Sequence, residues 1–257
     1  MPGILEHLQE IEVFTCDDYN RIAFDKGYTI ADLKGLVSDG LVHKLNDNLY
    51  CVKMAMRYLI ASKLAPDSYL CYHSALEYHN MYTQVYYWIY VASNYPLKDF
   101  DLDSIHYAVV SSPFQEGVIT TDKGYRVTTV ERTIVDCLKD IGKAGGVEEL
   151  VEAFDTLPQY KVDFELLTRF LDLYHIRSLY SRAGYFFENY RDSLNVPDKF
   201  LEYLEWNKSK SLCYMDCMSK RIYINGLGGY KSKRWDLVVP DFIHQRLTCD
   251  YAGIEEF

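Results

Sequence analysis

The sequence of 257 residues is short of positive charge. It contains 27 Lys and Arg against 37 Asp and Glu, which gives a formal net charge of −10. A protein whose main task is to grip phosphates is usually basic overall or has a basic face. Any role in binding nucleic acid must therefore rest on a local group of cations.

The sequence also has no long apolar run. No stretch approaches the roughly 20 apolar residues that a membrane helix needs. The segment MPGILEHLQEIEVF contains three Glu and no Lys or Arg, so we expect no signal peptide. Hydrophobic residues make up 49% of the chain and charged residues 25%, which is typical of packed globular proteins. We expect a globular cytoplasmic protein with no membrane partner.

The cysteines do not form a recognisable framework. There are seven, spread from Cys16 to Cys249, and an odd number is not typical of a set of disulfides. Cys213 and Cys217 are a close pair with C-x3-C spacing, but no second Cys or His pair follows at the distance of a zinc site. We therefore expect no metal.

Catalytic motifs are missing as well. The glycine-rich segment 226–229 lacks the Gly-Lys-Ser/Thr ending of a Walker loop, and there is no G-x-S-x-G or H-E-x-x-H motif. A metal-dependent nuclease often uses a strand-borne Asp/Glu-x-Lys, whereas Asp32-Leu33-Lys34 lies on a predicted helix. The sequence predicts neither an enzyme nor a cofactor.

Residues 1–57 have the pattern of three short helices followed by a hairpin. Thr15 and Thr29 each stand three residues before an Asp, which predicts that they cap the second and third helices. Two short apolar runs, 41–45 and 49–52, flank a turn-forming Asn-Asp-Asn. This order is that of a winged helix-turn-helix, in which the third helix would enter the major groove and the hairpin would flank it.

The candidate DNA contacts lie on the third helix and around the hairpin. They are Thr29, Lys34, Ser38, His43, Lys44 and Lys53. Residues 1–57 carry six Lys and Arg against nine Asp and Glu, and six minus nine gives −3. A DNA reader normally neutralises several phosphates with Lys and Arg. A winged helix that serves packing or protein contact is therefore the alternative.

The rest of the chain predicts an α+β arrangement. Residues 58–68 resemble a connecting helix, and residues 69–257 run from strands to helices and back to strands, as one larger domain. Strands are predicted at 85–91, 105–111, 117–121, 212–215, 220–224 and 236–239, with the glycine-rich turn between the last two.

The stretch Tyr125–Leu138 begins as a strand and continues as a helix. Thr128 stands three residues before Glu131, which predicts a capping box. Apolar residues then follow at helical spacing and predict a buried face. Arg132 and Asp136 are four residues apart on the other side, where such a pair contributes ~0.2–0.5 kcal/mol.

A basic cluster stands out near the end of the acidic chain. Lys220, Arg221, Lys231, Lys233 and Arg234 lie within fifteen residues that contain no Asp or Glu. If the final strands pair, these side chains gather near one end of a sheet. The cluster then indicates contact with nucleic acid or with an acidic partner. A solvated hairpin is the alternative.

Several segments recur in a recognisable order. They are DGLVHKLNDNLYCV, SYLCYHSALEYHNM, GYRVTTVERTIVDCL, GGVEELVEAF, AGYFFEN and RWDLVVP. Their order along almost the whole chain resembles that of the AbiEi antitoxins of bacterial type IV toxin–antitoxin systems, which are linked to abortive infection. The first segment resembles the family's winged helix, and the others resemble parts of its antitoxin domain.

The resemblance implies a protein of two parts. The winged helix would bind the operon's own promoter and repress it. Residues 69–257 would form the antitoxin domain and counter a nucleotidyltransferase-like toxin, directly or indirectly. The reader helix is poorer in Lys and Arg than this role suggests. The alternatives are a stand-alone winged-helix transcriptional regulator without a toxin partner, and an enzyme acting on nucleic acid.

Overall fold

The structure, a computed structural model, describes residues 3–24 and 26–248. Over these residues the chain is mixed α+β, as the pattern of strands and helices predicts. No helix in this described part is both long enough and apolar enough to cross a membrane.

The described residues divide into two compact units. Residues up to 70 and 87–127 form the first unit, and residues 71–86 and 128–248 form the second. The strands between residues 87 and 127 therefore belong with the N-terminal segment. The sequence predicts a boundary between two separately folding domains at residues 58–68. That boundary is a different division from these compact units, and it stays a prediction.

The first unit begins with a small sheet packed against helices. Its elements are α1 (Ile4–Ile11), β1 (Val13–Thr15), α2 (Cys16–Phe24), α3 (Ile30–Ser38), β2 (Val42–Lys44), β3 (Leu49–Val52) and α4 (Arg57–Lys63). β3 lies between β1 and β2 and is antiparallel to both. Leu8, Phe14, Tyr19 and Leu33 belong to one buried cluster. The hairpin is confirmed, whereas β1 was not predicted because three residues show no clear alternation.

Both predicted helix caps of this segment are confirmed. The Asp18 carboxylate accepts hydrogen bonds from the N–H and the hydroxyl of Thr15, at 3.0 and 2.7 Å. Asp32 accepts in the same way from Thr29, at 2.7 and 2.9 Å. These hydrogen bonds lower the pKa of both carboxyl groups, so each Asp keeps its negative charge.

A six-stranded mixed sheet completes the first unit. Its strands are β4 (Tyr69–Leu70), β5 (Trp88–Ser93), β6 (Phe100–Leu102), β7 (Ile105–Ser111), β8 (Val118–Thr120) and β9 (Arg126–Thr128). Their order across the sheet is β6-β7-β5-β4-β9-β8. The strand predicted at 85–91 starts at Trp88 instead, and β6 was not predicted.

The second unit is mainly helical and contains another three-stranded sheet. Its elements are α5 (Tyr72–Tyr78), α6 (Val130–Lys139), α7 (Val147–Thr156), a 3-10 turn (Leu157–Gln159), α8 (Phe164–Tyr174), α9 (Arg177–Asn189), α10 (Arg191–Leu194), α11 (Asp198–Asn207), β10 (Cys213–Tyr214), α12 (Cys217–Ile224), β11 (Tyr230–Ser232), β12 (Leu237–Val239) and α13 (Asp241–Thr248). β12 is central, parallel to β10 and antiparallel to β11.

The capping box predicted for Thr128 and Glu131 is wrong. β9 continues through Thr128, so α6 is capped by Thr129, whose hydroxyl accepts from a first-turn N–H at 3.4 Å. The hydroxyl of Thr128 pairs with that of Thr133 at 2.7 Å. Glu131 accepts from the N–H of Asp163 at 3.2 Å. The cap therefore lies one residue later than the spacing predicts.

The expectation that Arg132 and Asp136 lie away from the buried face is also wrong. Arg132 Nε is 2.8 Å from Asp136 Oδ1, and the two side chains are only 1% and 3% exposed. Arg132 donates to the hydroxyl of Tyr174 at 2.9 Å, and this hydroxyl donates to Asp136. Burial raises the pKa of Asp136, although Arg132 and Tyr174 oppose this shift. Tyr174 ends α8, which therefore covers this side of α6.

The strand predicted at 220–224 is a helix. α12 begins after Asp216, whose carboxylate accepts from the N–H of Ser219 at 2.7 Å and so caps the first turn. The glycine-rich segment 226–229 consequently connects α12 to β11 and does not join two strands. The strand was predicted because apolar and basic residues alternate here. α12 has only 8 residues, and alternation over so short a segment does not distinguish a helix from a strand.

Candidate nucleic-acid interface

Three of the predicted DNA contacts lie along α3. Thr29 precedes its first turn, Lys34 lies near its middle, and Ser38 is its last residue. α3 buries Leu33, whereas Thr29, Lys34 and Ser38 are exposed. The hydroxyl of Thr29 is held by Asp32 at 2.9 Å, so its position is set by the cap of the helix.

The other three contacts belong to the hairpin and the residue after it. Lys44 is exposed, and its Nζ lies 3.4 Å from Asp47 Oδ1. His43 is half-buried, and its Nε2 lies 3.4 Å from Oδ2 of Asp103 in the loop between β6 and β7. Lys53 is exposed directly after β3. Of these three side chains, His43 is the least available to a ligand.

The six residues do not form a single cluster. At a rise of about 1.5 Å per residue, Thr29 and Ser38 are roughly 13 Å apart along α3. The backbone N–H of Lys53 donates to Leu41 at 2.9 Å, which places Lys53 beside the segment that follows α3. Lys44 of β2 lies opposite Tyr50 of β3 in the hairpin, toward its turn.

Exposed apolar side chains lie close to these contacts in the sequence and were not predicted. Ile30 is 45% exposed at the start of α3, Leu41 is 38% exposed before β2, and Met54 is 84% exposed after β3. Their sequence neighbours show no special pattern, and only the exposure of each side chain identifies them. Van der Waals contact with a partner is therefore available beside the lysines.

The basic cluster of the second unit divides into two groups. Arg234 is engaged, because it forms ion pairs with Glu188 and with Glu205 at 2.5 and 2.8 Å. The other four are exposed and form no ion pair with residues of the described part: Lys220 and Arg221 on α12, and Lys231 and Lys233 on and after β11. The predicted cluster thus retains four available cations.

The two closely spaced cysteines lie on different elements, with Cys213 on β10 and Cys217 at the start of α12. Within residues 3–24 and 26–248, no group of three or more His, Cys, Asp or Glu side chains is arranged to hold a metal ion.

Comparison with known proteins identifies a similar fold but no matching family. No protein-family model matches the chain, and no curated protein matches it. The chain is similar in structure to the RV2827C protein from Mycobacterium tuberculosis, with a TM-score of 0.64 and 16% sequence identity. The similarity covers 91% of this chain and 89% of that chain. At this identity, the likeness shows a shared fold alone.

Proposed function

We propose that the N-terminal segment, from α1 to β3, is a winged helix that binds DNA. The order of its elements, α1-β1-α2-α3-β2-β3, with β3 between β1 and β2, supports this proposal. In helix-turn-helix proteins, the second helix of the pair enters the major groove. α3 is the corresponding helix here, and the β2–β3 hairpin flanks it.

The exposed lysines have the role of phosphate contacts in this proposal. Lys34 projects from α3 and Lys44 from the hairpin, and both are exposed. Each phosphate that a lysine neutralises releases condensed counterions, which makes binding weaker as salt rises. Asp32 and Asp39 lie on or beside α3 and oppose this attraction. We therefore expect binding that is moderate and steeply sensitive to salt.

The experiment is a titration of the full chain against two labelled duplexes at about 0.1 M salt. One duplex carries the DNA immediately upstream of the gene, and the other carries the same bases in shuffled order. Autorepression requires tighter binding to the upstream duplex. Equal affinities would contradict a promoter-specific role, and the absence of binding to either duplex would contradict DNA binding altogether.

We further propose that the chain is an antitoxin that counters a nucleotidyltransferase-like toxin. The ordered resemblance to AbiEi antitoxins supports this proposal. Two of the resembling segments also pack together in the second unit: a Cβ at Gly184 of AGYFFEN would lie 2.1 Å from the ring of Trp235 in RWDLVVP. Segments that are far apart in sequence thus meet in one core.

Co-expression tests the antitoxin proposal. A nucleotidyltransferase-like product of the neighbouring gene is expected to arrest growth when expressed alone, and this chain is expected to restore growth. If no neighbour is toxic, or if growth is not restored, the antitoxin proposal fails. Promoter binding without rescue would instead support a stand-alone transcriptional regulator, which the N-terminal element order supports equally well.

A further inference from the structure

An open cleft of about 800 Å³ lies within the second unit. Its walls come from the end of α6 and the turn after it, from α9, and from the segment that runs from β10 into α12. Three cations line it, Lys139, Arg182 and Lys220, together with the acids Asp140 and Asp216. The cleft has no role in the proposed DNA binding or in the proposed antitoxin activity, and its charges indicate which ligand it favours.

Arg182 has no acidic partner in the part of the chain that the structure describes. Its Nη1 donates to the carbonyls of Leu138 and Lys139 at 3.1 and 3.0 Å, and its Nε donates to that of Tyr214 at 3.3 Å. Its Nη2 makes no hydrogen bond with the described residues. Burial lowers the pKa of this guanidinium, yet arginine stays protonated in proteins. A positive charge thus borders the cleft, hydrogen-bonded to backbone carbonyls and offset only in part by Asp140 and Asp216, which lie beyond ion-pair distance.

The two acids of the cleft are already engaged. Asp140 forms an ion pair with Lys143. Asp216 caps α12 and accepts from the N–H and hydroxyl of Ser219, at 2.7 and 2.5 Å. Neither carboxylate is within ion-pair distance of Arg182. These acids therefore offset the cations of the cleft only in part.

The other two cations are also without acidic partners among the described residues. Lys139 donates to the hydroxyl of Tyr72 at 3.2 Å, and burial raises the pKa of this tyrosine, which keeps it neutral. Lys220 is exposed on α12. The cleft of a chain with a net charge of −10 is thus lined by three cations that lack a carboxylate of their own.

We propose that this cleft binds a phosphate-bearing ligand of nucleotide size, with Arg182 and Lys220 contacting the phosphate. Arginine and lysine are the side chains that proteins use for phosphate recognition. The volume falls in the range of small-molecule sites, about 300–1,000 Å³. Tyr214 and Met218, which also line the cleft, supply apolar contact for a planar ring. This ligand is separate from the proposed DNA and toxin partners.

Isothermal titration calorimetry of the full chain with AMP, ADP, ATP, adenosine and inorganic phosphate tests the proposal. At least one of the three nucleotides is expected to bind at least tenfold more tightly than adenosine and than inorganic phosphate. Lys220→Ala is expected to weaken binding of that nucleotide about fivefold, which is the upper end of what one exposed charge contact contributes. Arg221→Ala removes the adjacent exposed cation of the same helix, which does not line the cleft, and is expected to leave the affinity unchanged.

Three results would overturn the proposal. The first is that none of the three nucleotides binds to the wild-type chain. The second is that inorganic phosphate or adenosine binds as tightly as the best nucleotide. The third is that Lys220→Ala leaves nucleotide affinity unchanged, or that both variants lose it equally. Thermal unfolding of both variants checks that they fold. No measurement uses DNA or toxin, so the outcome is independent of the proposed function.

Discussion

At the scale of single residues, the Arg132–Asp136 pair is a buried ion pair of the second unit. Both side chains are almost fully buried, and Tyr174 completes their hydrogen bonding. Removing one partner of a buried pair leaves an uncompensated charge away from water. Such a pair therefore restricts substitution far more than a pair on the surface does.

We predict that Arg132→Met lowers the free energy of unfolding by about 3–5 kcal/mol, because Asp136 is then buried without its cation. A pair on the surface would contribute only ~0.2–0.5 kcal/mol. The double variant Arg132→Met/Asp136→Leu is expected to recover much of the loss, since it removes both charges of the pair. Urea denaturation measures both. A loss below about 1 kcal/mol in the single variant would contradict the buried position of this pair.

His79 predicts a dependence of stability on pH. Its ring hydrogen-bonds the carbonyl of Thr128 at 2.7 Å through Nε2, and burial lowers its pKa below the usual 6.5. Between this lowered pKa and 6.5, the unfolded chain binds more protons than the folded chain does. The contribution of His79 is therefore complete above pH 6.5 and is lost as the pH falls through the lowered pKa.

The free energy of unfolding of the wild-type chain is expected to decrease from pH 7.5 to pH 5. His79→Gln keeps an amide N–H for the carbonyl of Thr128 but does not titrate, so its decrease is expected to be smaller. Urea denaturation at the two pH values provides the comparison. Identical decreases in the two proteins would show that His79 is not the group responsible.

At the scale of secondary-structure elements, the close approach of α9 and Trp235 depends on Gly184. Trp235 is fully buried and donates through Nε1 to Glu188 at 2.6 Å. A Cβ on Gly184 would meet the indole at 2.1–2.5 Å. The ring is rigid and surrounded by core, so it cannot move aside without disturbing its neighbours.

We predict that Gly184→Ala destabilises the protein by about 1–3 kcal/mol through overpacking against Trp235. Gly35→Ala makes the same chemical change in α3, where nothing lies within 4 Å of the added Cβ. Because alanine favours helix, this control is expected to stabilise by about 0.5–1 kcal/mol. Thermal unfolding measures the change in stability of each variant. A Gly184→Ala variant as stable as the wild type would contradict the close packing of α9 against Trp235.

The elements that the sequence predicts correctly are those with strong local signals. The caps at Thr15 and Thr29 and the β2–β3 hairpin all depend on neighbouring residues. The errors arise where distant contacts decide. β9 continues through Thr128 and displaces a cap, α8 covers the polar side of α6, and α12 forms where a strand pattern is equally good.

The candidate contacts show the same contrast between local signals and distant contacts. Lys34, Lys44 and Lys53 were predicted from residue type and order, and all three are exposed. The half-buried ring of His43 and the ion pairs of Arg234 depend on residues 60 and 46 positions away, Asp103 and Glu188. Sequence spacing carries no information on such partners, and neither does it reveal the cleft around Arg182.

At the scale of the whole molecule, the central question is whether an acidic protein binds DNA through a few local cations. With a net charge of −10, non-specific attraction to the phosphate backbone is weak. Binding must then depend on individual lysines rather than on overall charge. Charge reversal at those lysines consequently has a different effect from charge reversal elsewhere.

The most direct test is the affinity of the full chain for its upstream duplex, measured by fluorescence anisotropy over a series of salt concentrations. Lys34→Glu/Lys44→Glu reverses two proposed phosphate contacts, and Lys199→Glu/Lys210→Glu makes the same change in charge at exposed lysines of the second unit. We predict that the first variant binds at least about tenfold more weakly, with a salt slope shallower by roughly 2. The second variant is expected to bind as the wild type does. Equal affinities for the two variants would contradict DNA binding through α3 and the hairpin.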